Sequence, residues 1–210
     1  MSHVRERSVF IVDDDEAVCD SLKLLLRTAG LHVETFPSAF AFLQGYHGAR
    51  PACIVLDVRM PGMTGLALQD ELLERGVDVP IVFLTGHGDV AMAVEAVKKG
   101  AYDFIQKPFE QHRLLCAVLD ALEADADSRN RAVRRSEAAV RLAGLTERER
   151  AVLQRVLAGK NTRAIAGELF ISAKTVEFHR ARIKRKLGAS TTAELFRIGL
   201  LAGEELQSKT

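Results

Sequence analysis

Five short apolar runs, at 9–12, 33–36, 53–56, 81–84 and 104–105, alternate with stretches of helical spacing near 16–29, 38–46, 64–75, 89–100 and 110–123. Strands this short and this uniformly apolar must be covered on both faces. A parallel sheet between two helix layers is the arrangement that achieves this. Five consecutive βα units therefore predict an α/β domain. Ser38 and Asp89 are placed to cap helix N-termini, and Gly30 and Gly100 follow helix ends. The pattern stops near residue 125. Positions 125–144 are rich in Ala, Arg and Glu and lack Pro, a composition that favours a helical linker. Leu115, Val118, Leu119 and Leu122 form an apolar seam that can extend into it.

Beyond the linker the spacing predicts four short helices. Thr146 and Glu149 have the spacing of a capping box, and Gly159 ends the first helix. Asn161 or Thr162 caps the second, Ser172 caps the third, Gly188 ends the third, and Ser190 or Thr191 caps the fourth. The expected layout is an α/β domain over 5–123, a helical linker over 124–143, and a small all-α helix-turn-helix domain of four helices over 144–206.

Charge divides the chain in the same place. The net charge of +1 conceals a balance of −7 up to Glu123 and +8 from Ala124 onward. An acidic half joined to a basic half suggests different partners, one of them nucleic acid, although charge alone fits a solvated basic surface equally well. No stretch approaches the roughly 18–20 apolar residues of a membrane span, and the N-terminus has no apolar run before the first strand. Cys19, Cys53 and Cys116 match neither zinc nor disulfide spacing, so three reduced core thiols and a cytoplasmic location are expected.

The chemistry-bearing residues of the first domain follow strand ends. Asp13, Asp14 and Asp15 follow the first strand, Asp57 the third, Thr85 the fourth and Lys107 the fifth. With a flavodoxin-like strand order 2-1-3-4-5, strands one and three adjoin where the order reverses, so their terminal carboxylates converge. Close carboxylates repel unless a hard cation neutralises them, which suits Mg2+. Carboxylates, a hydroxyl and an ammonium together suit a phosphoryl group.

Asp13-Asp14, Leu56-Asp57 with Met60-Pro61-Gly62, Thr85-Gly86 and Lys107-Pro108-Phe109 together resemble the receiver domain of bacterial two-component response regulators. The resemblance implies that Asp57 accepts a phosphoryl group from a sensor histidine kinase. It also implies that Asp13, Asp14, Asp57 and the backbone carbonyl of Arg59 hold Mg2+. Thr85 and Phe104 would form the switch pair, and Lys107 would contact the phosphate. Two positions depart from common choices in the family. Phe104 stands where Tyr is frequent, which removes a hydroxyl-dependent switch, and Arg59 stands where Asn is frequent, which bears on access of hydrolytic water. Asp15 reads as a solvated helix-start residue and His87 as a surface-loop histidine.

On a helical wheel of about 100° per residue, the helix 173–187 carries a narrow apolar stripe of Val176, Ile183 and Leu187. Lys174, Glu177, Phe178, Ala181, Arg182 and Arg185 point elsewhere. Cations beside an aromatic suit a groove-facing surface, and a glutamate can accept from cytosine N4. Leu145-Thr146-Glu147-Arg148-Glu149, Val152-Leu153, Ile165-Ala166, Ser172, Thr175-Val176, His179 and Lys186-Leu187 resemble the LuxR-type helix-turn-helix. Receiver plus this output resembles the FixJ-type regulators. The resemblance implies that this helix enters the major groove of duplex DNA. Glu177, Phe178 and Ala181 would face bases, while Lys174, Thr175, His179, Arg180 and Lys184 would contact phosphates, with Arg182 on the same surface. Phe178 has two readings, contact with a thymine methyl or packing on a neighbouring helix.

The implied mechanism runs from phosphorylation of Asp57, through a change in the face of helix four, strand five and helix five, to a homodimer that controls transcription. RNA polymerase is a further implied partner, and no membrane is involved. The chain is expected not to be an enzyme. A haloacid-dehalogenase-type phosphatase would need a second Asp two residues after the nucleophile, where Arg59 stands. The basic domain could instead bind protein or RNA, and phosphorylation could release an inhibited monomer without driving dimerisation.

Overall fold

The computed structural model describes residues 7–48, 51–86 and 90–207. They divide into one compact unit that ends at Arg129 and a second that begins at Asn130.

The first unit follows the alternation of the sequence. Its elements are β1 (Ser8–Val12), α1 (Glu16–Thr28), β2 (His32–Phe36), α2 (Ala39–Gly45), β3 (Ala52–Asp57), α3 (Gly65–Glu74), β4 (Ile81–Thr85), α4 (Val90–Lys98), β5 (Asp103–Gln106) and the start of α5 (Gln111–Ala143). The strands form a parallel sheet of order β2-β1-β3-β4-β5. Alternate residues of each strand face opposite helix layers. Val9, Ile11, Cys53 and Val55 join one core with Leu22 and Leu26 of α1 and Leu114 and Val118 of α5. Phe10, Ile54, Leu56 and Phe83 join a second core with Phe42, Leu68 and Leu72 of α2 and α3. Each such side chain, fully buried, stabilises by roughly 1.5–3 kcal/mol.

The helix signals act where the sequence places them. Ser38 Oγ accepts from the Ala41 amide. Gly30 and Gly100 adopt positive φ after helix ends, a conformation open to glycine because it lacks Cβ. The expected cap Asp89 and the loop residue His87 lie outside the described residues.

The helix α5 continues without a break through the segment read as a helical linker. Asp125, a buried carboxylate, accepts from the Ala52 amide at 2.9 Å and ties α5 to the start of β3. One expectation needs correction: only Cys19 and Cys53 are core thiols. Cys116 is half-buried, with Sγ 3.5 Å from His112 Nε2 one turn earlier on α5.

The second unit holds α6 (Glu147–Leu157), α7 (Thr162–Leu169), α8 (Ala173–Leu187) and α9 (Thr192–Gln207). Its core gathers Val152, Leu153, Ile165, Val176, Ile183, Leu187 and Leu195. The expected capping box opens α6. Asn161 rather than Thr162 caps α7, Ser172 caps α8, and Thr191 accepts from the Glu194 amide at the start of α9.

Candidate functional site

Sheet register decides which carboxylates meet. Val12 pairs with Leu56, so β1 and β3 end side by side and release Asp13 and Asp57 at one edge. Lys107 follows β5 at the same edge, and its amide donates to the Thr85 carbonyl at 2.6 Å. Its Nζ lies 2.8 Å from Asp13 Oδ2 and 2.7 Å from Asp57 Oδ1. One cation thus stands between two buried carboxylates. The other oxygens accept backbone amides, Asp57 Oδ2 from Arg59 and Asp13 Oδ1 from Asp15. The Lys107–Pro108 peptide is cis.

Burial raises the Asp57 carboxyl above its ordinary range, and the hydrogen bond and charge of Lys107 only partly offset this. For Lys107 burial works to lower the ammonium, but its bonds to Asp13 and Asp57 prevail and raise it. The loop after Asp57 is closely held. Gly65 donates its amide to the Val58 carbonyl, and a Cβ at Gly65 would stand 2.2 Å from the Asp57 carbonyl oxygen. Thr64 caps α3 just before it.

Of the expected residues, Asp13, Asp57, Thr85 and Lys107 are brought together. Phe104 lies close by, its ring 6.0 Å from that of Phe83. Asp14 is exposed, and so is the side chain of Arg59. The donor set is hard oxygen, and two of the expected metal ligands already flank a cation. Among the described residues no group of three ligands is closed around a metal position. Asp15 is a cap, as read, accepting from Ala17 and Val18.

In the second unit, α8 buries Val176, Ile183 and Leu187 and presents Lys174, Glu177, Phe178, Ala181 and Arg185 outward. Phe178 is 56% exposed. Its ring neighbours are His179 and Arg182 of the same helix, with the Arg182 guanidinium 5.5 Å from the ring centroid. Thr175 Oγ1 is engaged with Ser172 Oγ at 2.8 Å, within the cap of α8.

Arg182 is half-exposed on the same face: its guanidinium lies over the Phe178 ring, while its Nε stands 3.4 Å from Oε1 of Glu149, a buried carboxylate of α6, without a hydrogen bond. His179 is half-buried, and its Nδ1 is enclosed with no hydrogen-bond partner among the described residues. Arg180 and Lys184 are also partly covered. Glu149 additionally binds Lys186 Nζ at 2.7 Å and the Thr146 amide at 2.9 Å. Burial works to raise its carboxyl, but the Lys186 and Thr146 hydrogen bonds prevail and lower it to about 2. The capping-box spacing revealed the contact with Thr146, whereas nothing local to Glu149 signals Lys186.

Comparison with known proteins agrees with this division. Residues 9–119 match the response regulator receiver domain family, and residues 143–198 match the bacterial regulatory proteins of the luxR family. The transcriptional regulatory protein FixJ of Azorhizobium caulinodans is 45% identical, over 93% of this chain and 92% of its own. The response regulator protein TodT of Pseudomonas putida is 43% identical, over 94% of this chain and 88% of its own. Among solved structures, the response regulator StyR superposes with a TM-score of 0.80 at 42% identity, covering 92% of this chain and 98% of that one. Full-length FixJ from B. japonicum gives 0.59 at 40% identity, covering 94% and 97%. This chain belongs to the FixJ-type two-component response regulators, in which a receiver domain is joined to a luxR-family DNA-binding domain that controls transcription.

Proposed function

We propose that Asp57 is the phosphoacceptor, that a sensor histidine kinase is the donor, and that the phosphorylated protein pairs and binds duplex DNA. The convergence of Asp13, Asp57 and Lys107 at one sheet edge carries this reading. An Asp57 oxygen attacks the phosphorus of a phosphohistidine, the P–N bond breaks, and the imidazole leaves with the electron pair. Asp57 is held for attack by the Arg59 amide on one oxygen and by Lys107 on the other. Lys107 then follows the new charge to the phosphoryl oxygens, and Thr85 donates its hydroxyl there. Asp13, Asp57, the Arg59 carbonyl and, from the exposed side, Asp14 would hold Mg2+. When bound, the ion neutralises carboxylate and phosphoryl oxygens.

The phosphoryl group adds about −1.5 to −2 charge beside Thr85 and Phe104. Packed cores switch between discrete arrangements, so the change passes to the face of α4, β5 and α5. That face carries exposed Val94, Val97 and Tyr102, apolar surface suited to a second copy. Paired α8 helices then meet two half-sites, with Glu177, Phe178 and Ala181 toward bases. Lys174, Thr175, Arg180 and Lys184 lie toward phosphates, flanked by His179 and Arg182. RNA polymerase is the further partner in this reading, and the cytoplasm is the compartment.

The test is selection of bound duplexes from a random pool, with and without a small phosphodonor and Mg2+, for wild type and Asp57→Asn. Tightening by phosphodonor in wild type alone is expected. Equal tightening in Asp57→Asn would overturn the assignment.

A further inference from the structure

Glu177 is an unexpected residue on a surface that meets a polyanion. Its carboxylate is 59% exposed, yet one oxygen is held. The Thr162 hydroxyl, at the start of α7, donates to Glu177 Oε1 at 2.6 Å. That hydroxyl has one proton, so its oxygen accepts, from Arg180 Nη1 at 3.0 Å. Arg180 also lies 3.6 Å from Glu177 Oε1. The result is a directed chain, Arg180 N–H to Thr162 oxygen and Thr162 O–H to Glu177 oxygen. It crosses from the support helix α7 to the presenting helix α8. Among the described residues, Glu177 Oε2 makes no hydrogen bond.

We propose that Thr162 is a positioning residue for sequence recognition: its hydroxyl fixes the Glu177 carboxylate so that Oε2 accepts the N4 amino group of one cytosine. The proposal rests on the reading that α8 enters the major groove. Three physical consequences favour it. A glutamate free to rotate loses side-chain entropy on binding, whereas one already held loses less. A carboxylate approaching DNA is repelled by phosphates, and the adjoining guanidinium offsets that charge. A fixed acceptor discriminates: guanine and thymine present it only acceptors, adenine sets the N7 acceptor beside its N6 donor, and cytosine N4 presents a donor without an adjoining acceptor.

The test is sequencing of duplexes selected by the full chain with phosphodonor and Mg2+, for wild type, Glu177→Ala, Thr162→Val, Thr162→Ala and Thr162→Ser. Salt dependence of binding and the thermal unfolding midpoint are followed in parallel. Wild type should prefer cytosine at one position of each half-site. Thr162→Val and Thr162→Ala should lose that preference roughly tenfold at that position alone. Their salt slope should match wild type, since phosphate contacts set the slope. Thr162→Ser, which keeps the hydroxyl, should retain the preference. If Glu177→Ala loses the preference but both hydroxyl-free variants keep it, Glu177 reads the base unaided and the proposal falls while the groove reading stands. If Glu177→Ala selects the same sequences as wild type, the reading of Glu177 falls and the proposal with it. A uniform loss of binding at all positions in the Thr162 variants would show a general structural role and also overturn it.

Discussion

At the scale of single residues, the two domains use buried carboxylates differently. Asp57 is held between an amide and an ammonium at an open edge, where its chemistry is available. Glu149 is enclosed and bound by Lys186, Arg182 and the Thr146 amide, so its charge serves the fold. Its carboxyl titrates near 2 in the folded protein against 4.5 as an ordinary glutamate. A lowered carboxylate pKa contributes stability that is fully present above about 4.5 and is lost as pH falls toward 2. Glu149→Gln should therefore cost about 1–3 kcal/mol at neutral pH. Urea unfolding of both proteins from pH 7 to pH 3 checks this, with the gap narrowing below pH 4.5. A gap independent of pH would refute the assignment to Glu149.

Among the elements, two connections are set by close approach and by backbone conformation. Gly65 opens α3 against the Asp57 carbonyl, where a methyl group has no room. Gly65→Ala should cost about 1–3 kcal/mol through overpacking and, with Asp57 as the proposed phosphoacceptor, should slow phosphoryl uptake, because the shift falls on the backbone of Asp57. Normal uptake with an unchanged unfolding midpoint would contradict this. The turn between α7 and α8 shows the opposite case. Phe170 occupies the left-handed region at φ 53° with 94% of its surface exposed. Left-handed backbone costs an ordinary L-residue about 1–2 kcal/mol, and Asn tolerates it better. Phe170→Asn should thus raise stability by about 0.5–1 kcal/mol, read as a higher thermal midpoint; a lower midpoint would mean that the ring contributes a contact in solution.

The whole molecule is a switch only if phosphorylation and pairing are separable steps. Val97 on α4 is 55% exposed and far in sequence from Asp57, the proposed acceptor. Val97→Asp should leave phosphoryl incorporation at Asp57 unchanged and abolish the phosphodonor-dependent dimer, measured by sedimentation. DNA binding should then weaken to the level of the unphosphorylated protein. A dimer that persists in Val97→Asp would move the pairing surface elsewhere.

Much of this architecture is local information. Five apolar runs separated by amphipathic segments determine a parallel sheet with two covered faces, because strand and helix periodicities are written in neighbouring residues. Caps at Ser38, Thr146 and Ser172 and positive-φ glycines at 30, 100 and 188 are equally local, since each acts within one helical turn. The gathering of Asp13, Asp57, Thr85 and Lys107 at one edge is legible because parallel strands all end on one side and the order sets β1 beside β3. What the sequence could not determine lies in contacts between residues distant along the chain. Asp125 reaches back to Ala52 and ties α5 to β3. Glu149 meets Lys186, with Arg182 close by, which turns a cap into a buried ion pair. Thr162 meets Glu177. No periodicity encodes these pairings: a side chain's charge and reach are set by its identity, but its partner is set by where the packed elements bring the two together.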